Sequence, residues 1–180
     1  MTYEFYTDGA ATMRQQGGTY VREAGGWAWA MVDNDKVIHN DGGHEENTTN
    51  QAMELRAIYE ALEYFMVNYY VNSSGNVINI YSDSAYCINI YTQWRYGWQR
   101  NGWKRKGNKP IENLEIIKKT SELIDIISKG FSSVNFIKVA GHSGEKWNEY
   151  VDKLAVEAKT TGAATTITYP CGRKLEPTKI

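Results

Sequence analysis

The first forty residues carry three extended patterns, and everything after them alternates between helical and extended patterns; few folds satisfy that order. Tyr3 to Thr7 alternates between faces as a half-buried strand does. Trp27 to Val32 is wholly apolar, as for a strand covered on both sides, and Lys36 to Asn40 predicts a short third strand beyond a turn at Asp33-Asn34-Asp35. Thr12 to Gly26 is polar and glycine-rich and reads as a loop. Leu55, Ile58, Leu62, Phe65 and Tyr69 then repeat at helical spacing, with Asn47-Thr48-Thr49-Asn50 offering cap oxygens to the first turn. Val77 to Ser82 predicts a fourth strand, Ser84 to Tyr91 a short helix, and Ile116, Thr120, Leu123, Ile124 and Ile127 a helix closed at Lys129-Gly130. Ser133 to Val139 predicts the fifth strand and Trp147 to Lys159 the last helix. Three strands followed by alternation imply an α/β fold: a mixed five-stranded sheet, antiparallel then parallel, flanked by helices.

A chain of 180 residues with 42% hydrophobic and 23% charged residues is expected to form one globular domain, spanning 1–159. Residues 160–180 lack periodicity and hold two of the three prolines, so a weakly structured tail is expected there. Cys87 and Cys171 make neither a disulfide framework nor a paired metal motif. The opening residues have no signal-peptide pattern, and no run approaches the ~20 apolar residues of a membrane helix. A cytoplasmic, membrane-free monomer is the expectation.

Net charge is −1, but its distribution is uneven. Six basic residues and no acidic one lie between Arg95 and Lys109, whereas Asp33 to Glu46 holds five acids against Lys36. Within the basic segment Trp94, Trp98 and Trp103 interleave with Arg95, Arg100, Lys104, Arg105 and Lys106. Cations draw the phosphate backbone and indole rings pack on sugars or bases. The same tryptophans also suit a small core under a protruding helix, and the two uses are compatible.

Four carboxylates carry the chemical argument. Asp8 ends the first alternating run, Glu54 opens the amphipathic segment, Asp83 ends the fourth strand and Asp152 lies in the last helical pattern. Hard oxygen ligands of this kind suit Mg²⁺ or Mn²⁺, and four acids can serve a pair of ions. Singly, each is equally at home as a cap or a solvated surface acid.

The surrounding words separate these readings. Thr7-Asp8-Gly9, Thr48-Thr49-Asn50-Gln51-Ala52-Met53-Glu54-Leu55, Tyr81-Ser82-Asp83-Ser84, and Gly141-His142-Ser143-Gly144 through Asn148-Glu149 to Asp152-Lys153-Leu154-Ala155 together resemble ribonuclease H of type 1, in that family's order and over Met1 to Ala158. The resemblance implies the ribonuclease H-like fold and a metal-dependent endonuclease acting on the RNA strand of RNA–DNA hybrids. Its products carry 5′-phosphate and 3′-hydroxyl ends. It implies that Asp8, Glu54, Asp83 and Asp152 hold two Mg²⁺ ions, with Mn²⁺ as substitute, and that His142 assists proton transfer or product release. Gly9, Thr49, Asn50 and Gln51 match substrate-proximal positions, Thr49 at a DNA-strand phosphate. The basic segment resembles the protrusion of the bacterial enzymes, implying hybrid contacts from Trp94, Trp98, Trp103, Arg100, Lys104, Arg105 and Lys106. Asn47 stands where bacterial members often carry arginine, Ala85 replaces a common glutamine, and the segment 12–26 is longer than usual. These departures bear on phosphate grip rather than on chemistry.

Overall fold

The computed structural model describes all residues except 71–73, 142–143, 162–166, 169–173 and 176–180. Strands β1 (Thr2–Gln16), β2 (Thr19–Asp33) and β3 (Lys36–Glu45) form an antiparallel meander. Helix α1 (Asn50–Asn68) leads to β4 (Val77–Ser82), which pairs in parallel with β1 and with β5 (Ser133–Lys138). The sheet order is β3-β2-β1-β4-β5, the mixed five-stranded arrangement expected. Helices α2 (Ala85–Asn89), α3 (Arg95–Arg100), α4 (Leu114–Lys129) and α5 (Lys146–Thr161) complete it, with a π-helical turn at Ile90–Trp94 joining α2 to α3. Two short strands, β6 (Ile167–Thr168) and β7 (Lys174–Leu175), pair with each other. Thr160 and Thr161 of the expected tail end α5, and its residues beyond α5, β6 and β7 lie outside the described ones.

Both sheet faces are covered, by different helices. Tyr3, Phe5, Trp27, Trp29, Ile78 and Ile80 form the main core with Leu55, Ile58, Leu62 and Phe65 of α1. The predicted stripe is thus the buried one, with Phe5 and Trp29 edge-to-face at 5.7 Å. On the other face Ala28 meets Leu154, Ala155 and Ala158 of α5. The approach is close: a Cβ on Gly26 would stand 2.3 Å from the Ala155 carbonyl oxygen, so only glycine admits α5 there.

The segment 12–26 is not a loop. β1 and β2 continue as a hairpin to Gln16 and Thr19, turning at Gly17-Gly18, both with positive φ. Beyond Ala11 most of its side chains are exposed, which removes the alternation that marks a half-buried strand. β3 likewise runs five residues past Asn40, to Glu45. The short helix expected at Ser84 to Tyr91 continues through the π-turn to Arg100. Arg95 within it is buried, bonding the Tyr91 carbonyl at 2.8 Å, Ser121 at 2.9 Å and Asp125 at 3.0 Å. It fastens α3 to α4 and does not join the exposed basic residues it neighbours in sequence. α4 ends at Gly130 as expected, although the left-handed residue is Phe131, with φ 62°.

Candidate metal centre

β1 and β4 pair in parallel as far as Tyr6 and Tyr81, and Asp8 and Asp83 follow each by two residues. With a side-chain period of two, both carboxylates leave the same face just beyond the paired region. Asp8 sits inside a continuing strand rather than at a strand end, because β2 goes on pairing with β1 after β4 has finished, Asp8 lying opposite Ala28. Glu54 arrives from α1, whose backbone rests directly on β1: a Cβ on Gly9 would stand 2.3 Å from the Glu54 nitrogen. Gly9 therefore has a packing reason of its own. Asn50 Oδ1 accepts from the Ala11 amide at 2.6 Å, and the Thr49 hydroxyl caps α1 by accepting from the Ala52 amide at 3.1 Å. Gln51 is exposed.

Asp8, Glu54 and Asp83 present oxygens that all lie within 4.8 Å of one another. Asp152, from the second turn of α5, stands outside that set but against Asp8, with their side chains hydrogen-bonded. The four acids, drawn from β1, α1, the end of β4 and α5, do converge. His142 lies outside the described residues, although its neighbour Gly141 closes on Asp83, where a Cβ would be 3.3 Å from Oδ2.

The electrostatics demand a counter-charge. Asp8 is 2% exposed and Glu54 9% exposed. Burial pushes Asp8 up to about 8, a hydrogen bond from Glu54 pulls it down, and Asp83 and Asp152 add repulsion. Glu54 is raised well above the carboxylate range by burial first and by Asp8 second. Its Oε2 is buried with no hydrogen-bond partner, the state of an oxygen suited to a cation rather than to protein donors. Hard oxygen donors, an orphaned carboxylate oxygen and mutual repulsion together fit one or more divalent cations.

A stability consequence follows for the metal-free protein. Folded Asp8 keeps its proton up to about pH 8, whereas the unfolded chain releases it near 3.8. Between those values the native state binds more protons, so stability falls as pH rises, by up to ~1.4 kcal/mol per pH unit for one such group. With chelator present, thermal unfolding should show Tm dropping from pH 5 to pH 8 by several degrees, at about 2–4 °C per kcal/mol. A divalent cation should raise Tm more at pH 8 than at pH 5; an equal effect at both would contradict the assignment.

The basic segment divides by exposure. Trp98 and Trp103 are half-buried against the main core, Trp94 is 41% exposed, and Trp94 and Trp98 lie 5.9 Å apart. Trp98 and Trp103 thus serve the small core, and Trp94 is left exposed. Arg100, Lys104, Arg105 and Lys106 are exposed, and none forms an ion pair among the described residues. A groove of about 390 Å³ runs between Tyr86, Trp94, Trp98 and Arg105. A second, of about 320 Å³, is lined by Asn47, Thr48, Thr49 and Gln51 and by Arg22 from the hairpin. Arg22 brings a guanidinium to the groove in which Asn47 lacks one, a placement hidden while 12–26 reads as a loop.

A mixed sheet whose neighbouring strands β1 and β4 deliver acids into a shared cluster defines an α/β protein with an acidic centre that could hold a metal ion. The RNase H family model matches residues 1–160, and the chain belongs to that family. A ribonuclease H of Syntrophomonas wolfei is 40% identical over 156 residues, spanning 85% of this chain and 92% of that protein. LC9-RNase H1, a type 1 RNase H with the type 2 active-site motif, has a TM-score of 0.69 at 25% identity, over 89% of this chain and 72% of that one. LC11-RNase H1, solved in complex with RNA/DNA hybrid, shares the fold at a TM-score of 0.56 and 18% identity, over 88% and 97%.

Proposed function

We propose that this chain is a metal-dependent endonuclease that hydrolyses the RNA strand of RNA–DNA hybrids, leaving 5′-phosphate and 3′-hydroxyl ends. The observation carrying this reading is the convergence of Asp8, Glu54 and Asp83, with Asp152 against Asp8, in a chain of the RNase H family. Two Mg²⁺ ions, replaceable by Mn²⁺, would supply at this cluster an activated water, a neutralised phosphate and a stabilised leaving oxygen. Asp8, Glu54 and Asp83, with Asp152 against Asp8, would hold these ions. Glu54 also reaches the ribose 2′-hydroxyl, the group that separates RNA from DNA. His142 is assigned a part in proton transfer or product release, tasks suited to an imidazole near neutral pH.

Hybrid grip is assigned to two surfaces. Thr49, Asn50 and Gln51, with Gly9 under the neighbouring Met53–Glu54 backbone, are assigned substrate contacts near the metal centre. Trp94, Trp98 and Trp103 with Arg100, Lys104, Arg105 and Lys106 track the backbone further out. The enzyme acts as a cytoplasmic monomer; no helix of the described residues is long and apolar enough to cross a membrane.

Labelled RNA–DNA, RNA–RNA and DNA–DNA duplexes of one sequence, incubated with protein and Mg²⁺, test the reading. Internal cuts confined to the RNA of the hybrid are expected. Binding without cleavage would favour a hybrid-binding module, and comparable cutting of DNA–DNA would overturn the substrate assignment.

A further inference from the structure

Tyr6 and Tyr81 are the last partners in the parallel pairing of β1 with β4, and their rings stack at 4.3 Å with planes 5° apart. Each lies two residues before a central carboxylate and on its face, so the stack forms the floor beneath Asp8 and Asp83. The Tyr6 hydroxyl is hydrogen-bonded to the Glu145 side chain. Glu145 stands just before α5, where its carboxylate accepts the Asn148 amide at 2.5 Å and its carbonyl accepts the Glu149 amide at 3.0 Å. It is thus the cap from which α5 starts. Asp152 follows seven residues later, about two turns along the same helix.

The rest of α5 lies across β2, β1 and β3. Leu154, Ala155 and Ala158 pack on Ala28 of β2, and Tyr150 meets Asn40 of β3 at 2.8 Å. Ala10 of β1 packs on the same cluster, so the apolar contacts set the height of α5 in its second half, while Tyr150 holds the helix beside β3 two residues before Asp152. At its start, the Tyr6–Glu145 bond ties the helix to the strand that carries Asp8. Burial, the nearby Glu145 charge and then Glu4 push the Tyr6 hydroxyl up to about 12, so it remains a donor at neutral pH.

We infer that Tyr6, held flat by Tyr81, is a positioning residue that sets Asp152 against Asp8 through Glu145 and the first turns of α5. This rests on the metal-centre reading above and adds to it the device that orients its fourth ligand. Partners of this kind, which hold a ligand without touching the ion, are worth about 10–100-fold in affinity or activity.

The test compares Tyr6→Phe, which keeps the ring stack, with Glu145→Ala and Glu145→Gln, each in the wild-type and Asp152→Asn backgrounds. Mn²⁺ titration of the metal-free protein by calorimetry is read beside kcat, KM and Tm. Tyr6→Phe and Glu145→Ala should each weaken one Mn²⁺-binding step about tenfold and lower kcat to a similar degree, with KM within about twofold. Glu145→Gln, which keeps an acceptor for the hydroxyl and the amide, should stay close to wild type. In the Asp152→Asn background Tyr6→Phe should change neither affinity nor kcat, the non-additivity of groups acting as one unit. Wild-type Mn²⁺ affinity in Tyr6→Phe, a shift in Tm alone, or an equal effect with and without Asp152 would each overturn the inference. Should the wild type bind Mn²⁺ and show this pattern yet cut no hybrid, the substrate reading fails and the positioning role stands.

Discussion

Replacing Asp8 or Asp83 by asparagine is expected to lower hybrid cleavage by about three orders of magnitude or more while changing hybrid affinity by less than about threefold. Asparagine matches aspartate in shape, so the strand pairing of β1 with β2 and the seat of α1 on Gly9 are undisturbed. What is lost is one negative charge from the middle of a set whose oxygens lie within 4.8 Å of one another. No other acid in the set can take over a central position, because Glu54 and Asp152 approach from opposite faces of the sheet, on α1 and α5. Affinity behaves differently. A phosphate backbone entering a cleft with one carboxylate fewer meets less repulsion, and the exposed cations of the protrusion are untouched. The metal-free Asp8→Asn protein should also be no less stable than wild type, since the cost of keeping the buried Asp8 carboxyl protonated between pH 3.8 and about 8 is gone. Single-turnover cleavage, equilibrium binding and thermal unfolding separate these effects. A variant that still cuts within about tenfold of wild type would move the chemistry away from this cluster.

Much of this centre is visible in the sequence because each carboxylate sits in a distinctive local pattern. β4 is found at Val77–Ser82 as expected, since its alternation lies in the middle of the sheet where one face must be buried. The α1 stripe is legible for the same reason, and the α1 cap is legible because Thr49 acts within three residues of itself. Features that depend on partners distant in sequence are not legible. The hairpin arm beyond Ala11 has no buried face, so neither strand shows a period, and Arg22 stays hidden with it. Arg95 looks identical to Arg100 in a run of basic residues, and only the packing of α3 on α4 tells the buried ion from the exposed one. The stack of Tyr6 on Tyr81 requires two strands 75 residues apart to lie side by side in one register. No local periodicity encodes that.

Neutralising Arg100, Lys104, Arg105 and Lys106 together, each to glutamine, is expected to weaken hybrid binding by about a hundredfold at low salt and to make log K against log[salt] shallower by about 2–4. The expectation follows from where their charges sit. All four are exposed and none forms an ion pair among the described residues, so each is free to displace counterions from a phosphate. Arg95 is excluded from the set because its guanidinium is spent on Tyr91, Ser121 and Asp125. The platform should survive the change. Trp98 and Trp103 remain packed on the main core, the main-chain bond from the Arg105 amide to the Lys109 carbonyl at 2.9 Å is kept, and the change removes only an exposed bond from Arg105 Nε to the Pro110 carbonyl at 3.0 Å. Tm should therefore shift by no more than about 2 °C, as for surface substitutions away from buried contacts. Loss should appear in KM, with kcat at saturating hybrid close to wild type, since no charge has been removed from the carboxylate cluster. An unchanged salt slope would show that the hybrid does not lie on this surface, and would shift the grip to the groove that Arg22 shares with Thr49.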